Sequence, residues 1–303
     1  MATRFGAMLL QAVPYPQLRD DVLFAESVGL DAAWIADHFA VPAVPDLPLL
    51  EAWTTLAALA VETTRIRLGT LVTNVATRNA AMLAKQALTV DQLSDGRLDV
   101  GVGAGYYAAE HAYIGVDYLD GPGRTERLAE AVEILDRGLR GERVTVSGRH
   151  FQTADAPMHP APTQQPRPPL YVGAQGPRSQ RIAVRHADAV VTLGDPGFDV
   201  DASVAAFRER MTRLDDLCTE AGRDPSSLGR CYFAGFADEP IFASTEAAAD
   251  FVGRFVEAGA TEFSFYLYNP EQPAFAKMAA AHKMADREML ERVAQEVLPR
   301  FAS

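Results

Sequence analysis

The chain has 303 residues, 48% of them hydrophobic, enough to bury a large core either as two ordinary domains or as one α/β barrel. Its 28 basic residues against 40 acidic ones leave a net charge of -12, which disfavours nucleic acid or an anionic membrane surface as the main partner. Cys218 and Cys231 lack metal-ligand spacing, and neither the opening "MATRFGAMLLQAVPYP" nor any later apolar run suits a signal peptide or a membrane span, so a cytoplasmic protein without disulfides or zinc is expected.

Short apolar runs rich in β-formers alternate with longer segments whose apolar residues recur at three and four, the pattern of βα units around a parallel sheet. Strands are predicted at Arg4 to Leu10, Ala32 to Asp37, Ile66 to Thr73, Arg97 to Ala104, Pro169 to Ala174, Asp188 to Leu193, Arg230 to Phe236 and Glu262 to Leu267. Helical patterns such as "AAMLAKQALTVDQLS" and "RTERLAEAVEILDRGLRG" lie between them, with Gly141 and Gly222 where C-terminal caps belong and Ser244 as an N-cap. Eight such units predict a (β/α)8 TIM barrel, one domain over residues 1–303, rather than a doubly wound sheet.

Between the fourth and fifth units, residues 144–168 break the rhythm. They read as a hairpin turning at Ser147 and Gly148, then an extended stretch in which Pro157, Pro160, Pro162, Pro166 and Pro168 forbid a helix. This insertion is placed either over the barrel mouth or on the surface without a role.

Function in such a barrel sits at the carboxyl ends of the strands. The second strand ends in Asp37, His38 and Phe39, the third in Thr73, Asn74 and Val75. After the fourth come Gly101, Gly103 and Gly105, but the sixth position of a dinucleotide fingerprint is Tyr106, so the spacing is wrong for that motif. Instead Gly103, Ala104 and Gly105 form a floor bare of side chains that a flat ring could approach. After the fifth, Gly173, Ala174, Gln175 and Gly176 precede Pro177 at a first helical position and Arg178, a phosphate cradle by geometry or an ordinary turn.

The runs "AWIADHF", "TRIRLGTLVTNVATRNAAMLAKQALTVDQLSDGRLDVGVGAGYYAAEH" and "YVGAQGPRSQRIAVRHADAV" resemble the bacterial luciferase-like superfamily over nearly the whole chain, most closely its oxidoreductases that use the deazaflavin coenzyme F420. The resemblance implies His38 as the group handling a proton at the reactive face, Asp37 in contact with the cofactor ring, and a non-prolyl cis peptide at Asn74-Val75 backing that ring. It also implies hydride transfer to or from a small organic substrate, and frequent homodimers. An FMN-dependent monooxygenase on the same barrel, or an accessory protein without catalysis, are the alternatives.

One position departs from the family's sugar-phosphate dehydrogenases. Where they carry a carboxylate directly after the glycine loop, this chain has Tyr106, which would donate a hydrogen bond or line the pocket. Glu110, four residues on, is assigned to the following loop or helix. Lys85, Lys277 and Lys283 all fall in helical patterns, leaving no lysine pair for a sugar phosphate. The remaining candidates for the mouth are Phe39, Trp53, Tyr107, Tyr266 and Tyr268, pointing to an uncharged, partly hydrophobic substrate. Trp53 also reads as the apolar face of a helix packed on the barrel.

Overall fold

A computed structural model describes residues 2–42, 44–267 and 287–301. Eight parallel strands close into a barrel: β1 (Arg4–Leu9), β2 (Ala32–Asp37), β3 (Arg67–Asn74), β4 (Leu98–Gly103), β7 (Leu170–Gly173), β8 (Ala189–Leu193), β9 (Gly229–Ala234) and β10 (Glu262–Leu267). Closure comes where β10 lies beside β1, with Arg4 opposite Glu262 and Leu9 opposite Leu267. The strands read as near-continuous apolar runs because both faces are covered, the inner by the barrel's own side chains and the outer by helices.

Inside, Met8, Trp34, Leu71, Tyr171, Val191, Cys231 and Phe233 form one buried cluster. Trp34 fits because the strands beside it carry glycine: a Cβ on Gly6 would come within 2.7 Å of its indole nitrogen, and one on Gly69 within 2.5 Å of its ring. A larger cluster packs the outer strand faces against α1 (Tyr15–Ser27), α2 (Ala52–Glu62), α3 (Ala80–Leu93), α5 (Gly121–Leu139), α7 (Val200–Glu220) and α8 (Thr245–Glu257). Polar side chains cap several of these helices: Glu51 on α2, Asn79 on α3, Asp120 on α5, Asp199 on α7 and Ser244 on α8.

The insertion is anchored on the outer helix layer. Its hairpin, β5 (Val144–Ser147) and β6 (Gln152–Ala156), lies along α5, where the Glu130 carboxylate accepts backbone N–H groups of Arg149, His150 and Phe151, each at 2.8 Å. The proline-rich stretch then crosses towards the strand starts. There Asp91 accepts from Thr163 N at 2.7 Å and from Gln164 Nε2 at 2.9 Å, and Gln164 reaches the carbonyl of Leu98. Its anchors are carboxylates of the outer helix layer, and Ala156, Pro157 and Met158 line a surface cleft with Thr77, Arg78 and Asn79 beyond the end of β3.

The barrel floor is polar. Arg4 and Arg67 both pair with the buried Asp99, and Tyr171 receives a hydrogen bond from Arg4 at 2.6 Å and donates one to Glu262 Oε2 at 2.8 Å. Glu262 Oε1 has no partner. Burial, only partly opposed by Arg4, pushes the Glu262 carboxyl up to about 7. A carboxyl raised on folding adds stability below its unfolded value, and that stability is lost as pH rises through the folded one. Between roughly pH 4.5 and 7 the protein should therefore lose on the order of 3 kcal/mol at this residue. Glu262→Gln should flatten that slope in urea unfolding at pH 5 and pH 8; equal slopes in the two proteins would refute the assignment.

Candidate active site

The carboxyl ends of β2, β3 and β4 meet at one buried carboxylate. After β4 the chain passes through Gly105, in the left-handed region at φ +74°, and enters the short helix α4 (Ala108–Tyr113), which carries Glu110 inward. Glu110 is 1% exposed. Its Oε1 lies 3.2 Å from His38 Nδ1 and accepts the backbone N–H of Phe39 at 2.5 Å; its Oε2 accepts Asn74 Nδ2 at 2.9 Å. Burial alone would raise its pKa, but the hydrogen bond and charge of His38, then the Asn74 and Phe39 donors, outweigh that and hold it below the usual carboxylate range.

An ionised carboxylate can only accept hydrogen bonds, so the proton between the two must sit on His38 Nδ1. Nε2 is then left to act as acceptor in the neutral ring or donor in the cation. It makes no hydrogen bond to any described residue. The ring meets Tyr106 edge-on, with centroids 5.9 Å apart at 89°. Tyr106 itself is 66% exposed and Phe39 61%, both unusually open for aromatic side chains. Across the mouth, Tyr266 lies parallel to Phe233 with centroids 5.8 Å apart, and Phe236 meets both edge-on.

Asp37 is held away from solvent chemistry. Arg78 clamps both its oxygens, at 2.9 and 2.7 Å, and also reaches Glu51, tying the rim of β2 to the start of α2. The charge of Asp37 is thus compensated within the protein.

Several expected positions turn elsewhere. Trp53 is buried in the helix layer, its Nε1 donating to Thr73 Oγ1 at 3.0 Å, so neither side chain lines the mouth; the apolar face of α2 has nowhere else to pack. Val75 and Ala174 are buried in the same outer core, where they offer the site only backbone. The non-prolyl cis peptide lies at Leu71-Val72 rather than Asn74-Val75. Strand β3 slips register against both neighbours before Thr73 and is back in pairing, Asn74 opposite Gly103, by its end. Val72, not Val75, therefore approaches the bare backbone: a Cβ on Gly103 would lie 2.6 Å from Val72 Cγ2.

Ala104 and Tyr107 are half-buried at the rim. Gly173 ends β7, and Gln175 turns its amide back to the Leu193 carbonyl at 3.2 Å. Gly176 is the N-cap of α6 (Pro177–His186), which no side chain caps, and Arg178 is exposed on its first turn. Tyr268 falls outside the described residues. Sequence reasoning assigned no site role to Glu110, Arg78, Val72, Phe233 or Phe236. No local pattern singled out Glu110, whose inward position follows from the turn at Gly105 and the short helix after it. Among the described residues no three His, Cys, Asp or Glu side chains gather to hold a metal ion, and no helix is long and apolar enough to cross a membrane.

A closed eight-stranded barrel with this rim is the luciferase-like architecture. The profile of the luciferase-like monooxygenase family matches residues 1–303, and the chain belongs to that family. It is 28% identical over 282 residues to the 5,10-methylenetetrahydromethanopterin reductase of Methanolobus tindarius, covering 93% of this chain and 80% of that enzyme. It is 32% identical over 213 residues to the F420-dependent glucose-6-phosphate dehydrogenase of Microbacterium testaceum, spanning 68% of this chain but only 60% of that protein. In structure it superposes on the coenzyme F420-dependent tetrahydromethanopterin reductase of Methanopyrus kandleri with a TM-score of 0.78 at 20% identity, covering 99% and 100% of the two chains. An F420-dependent secondary alcohol dehydrogenase bound to an F420-acetone adduct gives 0.77 at 21%, covering 93% and 99%. These two likenesses establish the shared fold.

Gly105 has no freedom to change. A Cβ there would lie 2.2 Å from Asn74 Oδ1, on a backbone that side chains rarely adopt. Gly105→Ala should cost about 1–3 kcal/mol of stability and displace the Asn74–Glu110 hydrogen bond. Chemical denaturation checks the first effect, and unchanged stability would show that the loop relaxes freely.

Proposed function

We propose that this enzyme is an F420-dependent oxidoreductase acting on a small, uncharged, partly hydrophobic organic substrate, with His38 handling the proton that accompanies hydride transfer. The observation that carries this reading is the buried Glu110 carboxylate on His38 Nδ1, which leaves Nε2 without a partner among the described residues at the strand ends.

The residues present suit a deazaflavin. The Cβ directions of Gly103 and Gly105 are taken up by Val72 and Asn74, whereas a Cβ on Gly173 would meet nothing nearer than 3.7 Å, so the room for a ring lies at the end of β7. The uncapped start of α6, with Pro177 at its first turn and Arg178 beside it, offers free amides and a cation to a phosphate. When bound, F420 supplies the carbon that gives or accepts the hydride. Glu110 orients the imidazole and balances its charge, so that neutral His38 can take a proton from an alcohol and the cation can deliver one to a reduced alkene or imine. The ring group of Phe233, Phe236 and Tyr266, facing Phe39 and Tyr106, holds the apolar part of the substrate and thins out water. Tyr106 in place of a carboxylate argues against a sugar phosphate, and the carboxylate beside the proton-handling group comes from Glu110 instead.

Fluorescence titration of the purified protein with F420 and, separately, with FMN tests the cofactor. F420 should bind and FMN should bind weakly; the reverse preference would replace this reading with an oxygen-dependent flavin enzyme. Steady-state kinetics then test the residues. His38→Ala should lower kcat by about 10²–10⁴ with coenzyme affinity retained, and Glu110→Gln should cause a smaller loss. Retained turnover in His38→Ala would move the proton-handling role to another group.

A further inference from the structure

A second cleft lies outside the barrel, away from His38. It measures about 700 Å³ and runs between the first half of α5 and the whole of α6, with the turn of the inserted hairpin at one side. Arg178, Arg181 and Arg185 line it from α6, Arg149 and His150 from the hairpin, and Asp120 and Glu126 from the α5 side. Four arginines against two carboxylates reverse, locally, the sign of a chain that carries a net charge of -12.

The two carboxylates are already engaged. Asp120 caps α5 by accepting Gly123 N at 2.8 Å, and Glu126 Oε2 lies 3.4 Å from Arg149 Nη1 and 3.3 Å from His150 Nε2. Arg178, Arg181 and Arg185 form no hydrogen bond or ion pair with any described residue. Several other outer-layer arginines find acids: Arg140 and Arg167 pair with Asp136, Arg210 with Asp195, Arg230 with Asp215 and Arg254 with Asp201. Three neighbouring arginines without partners in an acidic protein constitute a cationic row left open.

Their spacing says what the row matches. Positions i, i+3 and i+7 share one helix face, and seven residues at a rise of about 1.5 Å spread the three charges over roughly 10 Å, with neighbours about 5 Å apart. One phosphate is too small to engage all three. A chain bearing carboxylates or phosphates at intervals of several ångströms is not. The row also begins at Arg178, on the first turn of the uncapped end of α6, so an anion seated there would lead directly into it.

We propose that the α5–α6 cleft binds an oligoanionic chain along Arg178, Arg181 and Arg185. Two sources share that chemistry: the acidic oligoglutamate tail of a deazaflavin coenzyme seated in the barrel, and a free oligoanion. The first source rests on the F420 reading above, whereas the second does not.

The test uses the full-length protein and the double variant Arg181→Gln/Arg185→Gln, leaving Arg178 in place, with a circular-dichroism melt to confirm folding. Three probes are titrated: F420 with a long glutamate tail, the tail-free deazaflavin chromophore, and free γ-linked oligoglutamate. If the tail of the coenzyme occupies the cleft, the variant should bind long-tailed F420 roughly tenfold more weakly and with less dependence on salt, while its affinity for the tail-free chromophore stays the same. If a free oligoanion is the ligand, wild-type protein should bind oligoglutamate by calorimetry and the variant should lose it. Equal binding of both acidic probes by the two proteins, or no binding of either by the wild type, would overturn the proposal and leave a solvated helix face. Should deazaflavins fail to bind at all, the free oligoglutamate result still decides the cleft independently of the cofactor.

Discussion

A carboxylate buried as deeply as Glu110 must be satisfied, and the rim of this barrel is organised around satisfying it. Its donors come from two neighbouring βα units, the His38 ring and Phe39 amide beyond β2 and the Asn74 amide at the end of β3, while Glu110 itself follows β4. Hydrogen bonds to a buried charge are worth more than neutral ones, and losing any donor exposes the cost of the charge itself. The left-handed turn at Gly105 is subordinate to the same contact, because only a residue without a side chain can pass over Asn74. One group therefore sets the position of the histidine, the tautomer it adopts and the shape of the loop above it.

The two ends of the barrel do different work. At the strand starts, Arg4, Arg67, Asp99, Tyr171 and Glu262 form a closed polar floor, and the proline-rich part of the insertion is tied beside it through Asp91 and Leu98. At the strand ends the charged groups are held by partners, Glu110 by His38, Asp37 by Arg78, Asp195 by Arg210 and Glu239 by Tyr232, with aromatic rings among them. A region poor in free charge but rich in rings favours apolar ligands, and the few charges present act at fixed places. This separation is the usual one for the fold, in which the bottom carries stability and the top carries chemistry.

Tyr106 and Glu110 lie four residues apart beyond β4 but differ sharply in burial. The position directly after the glycines projects outward, and Tyr106 stands there largely in solvent beside the His38 ring. In the short helix that follows, Glu110 is buried and its Oε1 lies 3.2 Å from His38 Nδ1. The consequence is a carboxylate that orients and balances the imidazole while leaving the open space above it to a neutral phenol.

All eight barrel strands were legible in the sequence to within two residues at either end, because hydrophobic periodicity is a local property and strand and helix periods differ. The glycine loop could likewise be separated from a dinucleotide motif by counting. The path of the insertion could not be read, since prolines forbid a helix without saying which carboxylates will receive the strand that replaces it. Trp53 and Thr73 looked like rim residues in one dimension but face each other across the β3–α2 interface, and the slip in β3 that brings Val72 inward depends on how three strands share one register. The sequence by itself determined the order and kind of the elements, which follow from local pattern. Only the tertiary structure decided that Glu110 meets His38, 72 residues away, because that pairing exists through barrel closure and the burial of a charge that must find its donors.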